Sequence, residues 1–235
     1  MSSSNKVPIL LYHSIMDNDE HSVSVQSFKK QMHLMKTMGY QTIKFNELKE
    51  SNEKKFIITF DDAYENVFIN AFPILRKLDF NAVCFIVTNK IGEYNDWDKN
   101  KFKKKKIMNF EQINEWLISG FNIGSHTLDH VDLTKLNKND KINQIINSKK
   151  DLNSTFNTDV DTFAFPFGSY DDETQSIINE YYDYAVTTKR SRFVKNKFNN
   201  KLLPRVPVSK YDSLFKFFLK IKTQYEDIKF KNNVN

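Results

Sequence analysis

A single cysteine, Cys84, stands in the chain. No intramolecular disulfide can therefore hold the fold, and its place inside the apolar run Ala82 to Val87 marks it as a buried strand residue. Glycine and proline are scarce, five of each in 235 residues, and neither gathers into a linker or a low-complexity block. One domain spanning residues 1–235 is expected. Long apolar runs are missing too. Met1 to Ile15 holds Ser2 to Ser4, a lysine and only a short apolar stretch, too little for a secretory leader or a membrane span. A cytoplasmic location without stable membrane insertion is the expectation.

What is present suits an α/β barrel. Forty per cent of the residues are hydrophobic and 21 are phenylalanine, enough for a sizeable core. The net charge of +6 bears on association rather than on chemistry. Its densest run, Lys101 to Lys106, lacks the interleaved aromatics of a single-strand nucleic-acid surface. It reads as a solvated loop, with a patch for an anionic glycan or a phosphate-bearing carrier as the alternative, and no nucleic-acid partner is expected.

Strand-like and helix-like segments alternate from end to end, the pattern of a parallel sheet wrapped by helices. Val7 to Leu11, Phe56 to Phe60, Ala82 to Val87, Phe121 to Gly124, Thr162 to Phe165, Tyr184 to Thr187 and Leu202 to Val206 read as strands. Helices are expected along the stripe Phe28, Met32, Met35, Met38 up to Gly39, over Val67 to Leu78, and from the cap at Asn109 to Gly120. Others are expected over Lys141 to Leu152 and Glu173 to Tyr181, with a last amphipathic segment through Leu214, Phe217, Phe218 and Ile221.

Three polar clusters fall at predicted strand ends, where a βα architecture gathers its chemistry. They are Asp61-Asp62, Ser125-His126-Thr127-Leu128-Asp129-His130, and Pro166-Phe167-Gly168. Histidines four apart would share one face of a helical turn and could grip one metal ion, with a carboxylate from a neighbouring strand as third ligand. The aspartate pair taken alone is equally a helix cap or an acidic nucleophile loop, although the D-x-D spacing of the latter is absent.

Taken jointly, Thr59-Phe60-Asp61-Asp62 and Ser125-His126-Thr127-Leu128-Asp129-His130 resemble the first two motifs of the polysaccharide deacetylases (NodB-homology domain, carbohydrate esterase family 4). Weaker likeness extends from Tyr12-His13-Ser14-Ile15 to Pro204-Arg205-Val206. The resemblance implies a distorted (β/α)7 barrel of NodB-homology type. It implies metal-dependent removal of N-acetyl groups from the amino sugars of a polysaccharide or a cell-surface glycan precursor. Residue by residue, it makes Asp62, His126 and His130 ligands of one divalent ion, zinc first, with cobalt, nickel and manganese as alternatives. Asp61 becomes the general base, and the Phe167 backbone N–H a donor to the oxyanion.

The likeness has two gaps. Ala164 stands where the family's commonest third motif carries the arginine that orients the base, and Arg205 is the candidate to replace that cation; Phe163 to Gly168 instead resembles an F-A-Y-P-Y-G variant. No histidine follows His130, so the usual late general acid is missing. His13 is similar to the acid of the branch with an N-terminal Y-H-x-I element, and it should stand on the side of the metal opposite Asp61. His21 and His33 read as bystanders, Ser125 and Asp129 as supports of the metal loop, and Asp171-Asp172 as a helix start. The alternatives are a glycan-binding relative without turnover and a same-fold hydrolase of a non-sugar amide.

Overall fold

The computed structural model describes residues 6–50, 54–97, 103–194, 197–223 and 225–230. Its strands are β1 (Lys6–Val7), β2 (Ile9–Tyr12), β3 (Gln41–Thr42), β4 (Lys55–Phe60), β5 (Val83–Ile86), β6 (Asn122–Ser125), β7 (Thr162–Ala164), β8 (Tyr184–Arg190), β9 (Phe193–Val194) and β10 (Leu203–Pro207). Seven of them close a parallel ring in the order β2, β10, β8, β7, β6, β5, β4, with β4 pairing back onto β2. Short β3 extends the sheet beside β4, and β1 with β9 forms a separate antiparallel ribbon. This is the distorted (β/α)7 barrel, its edges removed by closure.

Alternation along the strands divides the core into two layers. Ile9, Ile57, Val83, Phe85, Ala164, Val186 and Leu203 point into the barrel and form one cluster. Leu10, Ile58, Phe60, Cys84, Ile86 and Phe163 point outward into the larger layer beneath the helices. Helix α1 (Val25–Thr37) is capped by Ser24 and buries Phe28, Met32 and Met35. Met38 becomes its carboxyl cap, and Gly39 takes the positive φ that ends it.

The segment expected as one helix over 67–78 is a π turn, Val67–Ala71, running into α2 (Phe72–Lys77). Helix α3 (Phe110–Ile118) begins with the full capping box of Asn109 and Gln112. The next helical segment is longer than its apolar pattern suggests: α4 (Lys138–Ile142), a π turn at Asn143–Asn147, and α5 (Ser148–Phe156). Helix α6 (Asp172–Tyr181) is capped by Asp171 through Thr174 N–H. Helix α7 (Leu214–Lys222) buries Phe217 and Ile221 while Leu214 stays exposed, and α8 (Tyr225–Lys229) follows. Among the described residues no helix is long and apolar enough to cross a membrane.

Candidate metal and catalytic site

The polar clusters meet because each lies one step past a strand whose ladder continues into it. Asp61 N–H donates to the Tyr12 carbonyl at 3.0 Å, and His126 N–H to the Ile86 carbonyl at 2.9 Å. The backbone then turns sharply. Of nine non-glycine residues at positive φ among the described residues, five surround this spot: Asp62, Ala63, Thr127, His130 and Phe167. Each such conformation costs on the order of 1–3 kcal/mol, a strain that concentrates where function requires it. Gly168 is obligatory beside them, since its φ is +73° and a Cβ there would strike the Thr188 side chain.

Asp62, His126 and His130 form the one His/Cys/Asp/Glu group of metal-binding geometry among the described residues, their ligand atoms within 4.8 Å of one another. Asp62 Oδ1 is 3.2 Å from His130 Nε2 and 3.6 Å from His126 Nε2. That oxygen is buried and meets no hydrogen-bond geometry, which suits a shared cation better than a shared proton. Burial works against the Asp62 charge, but the His130, His13 and His126 imidazoles hold its carboxyl well below the usual range. Burial, reinforced by His130, pushes His126 down to about 4, so its imidazole is neutral near pH 7 and free to ligate. Its Nδ1 lies 2.7 Å from the Ala164 carbonyl, which turns Nε2 toward Asp62. The residues therefore fit a divalent ion.

The histidine pair is not helical, as its spacing suggested. His126 follows directly on β6 and His130 closes a tight turn whose Thr127 hydroxyl accepts the His130 N–H at 3.0 Å. Left-handed φ at Thr127 and again at His130 brings together what a helix face would have aligned.

Asp61, equally buried, faces the other way. Arg205 donates through both terminal nitrogens to its two oxygens at 2.6 and 2.7 Å, and its Nε donates to the Thr187 carbonyl at 2.9 Å. Burial opposes the Asp61 charge, and the Arg205 guanidinium outweighs it, holding the carboxyl below its usual range. Arg205 is fully buried inside the barrel, whose interior cluster includes the small Ala164 side chain. It reaches Asp61 from behind and does not line the pocket.

His13 Nε2 lies 4.0 Å from Asp61 Oδ2, with its side chain 49% exposed. It stands at the cleft mouth, near the base carboxylate. At that separation no hydrogen bond forms, and the ring is free to turn toward a ligand. Phe167 projects into the mouth, 55% exposed, edge-on to His130 with centroids 4.7 Å apart.

The resulting cleft has a volume of about 290 Å³ and is lined by His13, Asp61, Asp62, His126, His130 and Phe167, together with residues not anticipated. Trp97 stacks on His130 at 4.3 Å; a lone tryptophan in a polar loop was the available sign. Lys105 corrects the solvated-loop reading, for it is buried, pairs with Asp19 at 3.1 Å and lines the cleft. Lys106 pairs with Glu65, whereas Lys101 and Phe102 lie outside the described residues. His21 also lines the cleft, while His33 is exposed on α1.

The sequence profile of the polysaccharide deacetylase family matches residues 48–185. A Bacillus subtilis (strain 168) protein, YxkH, that carries the polysaccharide deacetylase name is 31% identical over 78% of this chain, which spans 65% of that protein. The poly-beta-1,6-N-acetyl-D-glucosamine N-deacetylase of Staphylococcus aureus (strain MRSA252) is 27% identical over 90% of this chain and 76% of its own. Among solved structures, a polysaccharide deacetylase from Bacillus cereus superposes with a TM-score of 0.80 at 28% identity, covering 92% of this chain and 69% of that one. With the barrel, the Asp-His-His group and a profile match over more than half its length, this chain belongs to the polysaccharide deacetylase family.

Proposed function

We propose that this chain is a metal-dependent N-deacetylase that releases acetate from the N-acetylated amino sugars of a surface polysaccharide or its precursor. The observation that carries the reading is the opposed pairing of two adjacent carboxylates. Asp62 is turned to two imidazoles, and Asp61 is held ionised by a bidentate arginine. A divalent ion held by Asp62, His126 and His130, zinc first by its preference for nitrogen and carboxylate ligands, supplies Lewis acidity and lowers the pKa of water.

The chain's own groups do the rest. Asp61 takes the proton as water attacks the acetyl carbonyl. The Phe167 backbone N–H donates to the oxyanion that develops. His13 gives a proton to the departing sugar nitrogen, which is a very poor leaving group as an anion.

The bidentate pairing of Arg205 with Asp61 supports turnover despite the alanine at position 164. The relatives make poly-β-1,6-N-acetylglucosamine the first substrate to try. Acetate release from its oligomers should exceed release from β-1,4-linked N-acetylglucosamine oligomers and from simple amides. Metal-replete protein that binds such oligomers and frees no acetate would overturn the proposal in favour of a binding protein. Preference for a simple amide would overturn the substrate class alone.

A further inference from the structure

The turn from His126 to His130 is strained, yet it is held from two sides by groups outside it. On one side the Thr88 and Asn89 amides donate to the Thr127 and Leu128 carbonyls at 3.2 and 2.9 Å, and Asn89 Nδ2 donates to Asp129 Oδ1 at 2.8 Å. On the other side stands one residue, Gln144. Its Oε1 accepts both the Leu128 and Asp129 amides at 3.1 and 3.0 Å, and its Nε2 donates to Asp129 Oδ2 at 2.6 Å.

Gln144 lies in the π turn Asn143–Asn147 and is 8% exposed. A π turn inserts an extra residue into the helix and re-aims the side chains that follow, which is why such turns recur at functional sites. This one is anchored where it must be, since the Ile145 carbonyl accepts from Tyr182 OH and from Ser148 Oγ, and Ser148 in turn meets Ser125 at the end of β6.

We propose that Gln144 is a positioning residue for the metal ligands, its carboxamide holding the 126–130 turn in ligating shape before any ion arrives. The proposal rests on the metal-dependent reading above. Its logic is the fixed sense of the amide. The oxygen must face two N–H groups and the nitrogen must face a carboxylate, so flipping the group would lose all three bonds.

That sense can be reversed by design. Gln144→Glu keeps the acceptor and sets a second carboxylate against Asp129. Asp129→Asn leaves one acceptor oxygen facing the amide nitrogens of both Asn89 and Gln144, so an amide nitrogen meets one of them. The double variant Gln144→Glu/Asp129→Asn restores a donor facing an acceptor at unchanged net charge, and the side-chain oxygen retained at position 129 still accepts from Asn89.

Zinc affinity is measured by chelator competition at neutral pH, and amide hydrogen exchange of residues 127–130 is measured on metal-free protein. Each single variant should lose about 10–100-fold in affinity, the range for a partner that orients a metal ligand, and should exchange faster at the turn. The double variant should recover most of both losses.

Simple electrostatics predicts the opposite sign for Gln144→Glu, because an added negative charge attracts zinc. Parental or tighter binding by that variant would overturn the proposal. So would a double variant no better than the singles, which would reduce Gln144 to packing. If Gln144→Glu fails to fold, Gln144→Met, of similar volume and without hydrogen bonds, must show the same two losses. Parent protein that binds no divalent ion, with the exchange pattern intact, would overturn the metal reading and still support Gln144 as the clamp of the turn.

Discussion

The floor of the cleft and its mouth are built on different terms. On the floor, Asp61, Asp62, His126 and His130 are buried, with Arg205 buried behind them, and burial makes a charge there depend on its neighbours. Arg205 keeps Asp61 charged, His130 foremost holds the Asp62 carboxyl low, and burial keeps His126 neutral. At the mouth, His13 and Phe167 are half-exposed, and no hydrogen bond ties the His13 ring to Asp61 at 4.0 Å. Groups set by the fold can hold an ion and a base ready, whereas groups facing water are positioned by the substrate. Changes on the floor should therefore alter metal content, charge state or stability, according to the group removed, and changes at the mouth should alter turnover alone.

The largest effect should come from the metal wall. Asp62→Ala, His126→Ala and His130→Ala should each weaken zinc binding by more than the roughly 10–100-fold typical of losing a group that only orients a ligand. Elemental analysis of purified protein, expected to show one ion per chain in the parent, measures this; retention of metal by all three variants would break the assignment.

Next comes the base wall. Asp61→Asn should keep its metal while acetate release falls by about 10²–10⁴-fold. Loss of metal with activity would place Asp61 among the ligands and erase the contrast between the two carboxylates.

Arg205→Met sharpens the same contrast through pH. Without the guanidinium, burial is the largest influence left on Asp61 and raises its pKa, so the base is protonated at higher pH and the acidic limb of kcat/KM moves upward. Stability should fall by roughly 3–5 kcal/mol at neutral pH, the cost of breaking a buried pair, as read by urea unfolding. Because the paired carboxyl has a depressed folded pKa, its contribution is present above the ordinary aspartate range near about 3.9 and is lost as pH falls through the lower folded value. The gap between parent and variant should therefore narrow in acid. A parental pH profile would show that Arg205 does not set the charge of the base.

The smallest effect belongs to the mouth. His13→Ala should bind metal and oligosaccharide normally, lose about 10²-fold in kcat and lose the basic limb of its pH–rate profile. Near-parental kcat in folded protein would remove His13 as the proton donor.

Much of this was legible in the chain itself. The Lys55–Phe60 strand announces itself by a β-branched and aromatic run, and the Asn109–Gln112 pair by the spacing of a capping box. The two π turns were not legible, since an apolar stripe read at 3.6 residues per turn passes over a single inserted residue. Lys105 was misread for a related reason. A lysine run has the composition of a solvated loop, and only the neighbouring Asp19 and the Tyr64 ring make one of its members a buried wall of the cleft.

By itself the sequence determined the alternation that closes a barrel and the strand ends that carry Asp61, Asp62, His126 and His130, because strand and helix periods and their punctuation are local. Only the tertiary structure decided which partner each group meets. Arg205 lies 144 positions from Asp61, and no spacing along the chain connects them. Gln144 is joined to Asp129 only through a helical distortion, and His13, from the far end of the chain, comes within 4.0 Å of the base. Ring closure brings β10, β2 and β4 side by side, and charge and hydrogen bonding act through space over a few ångströms, so the chemistry of each floor residue is set by neighbours that the chain order keeps far apart.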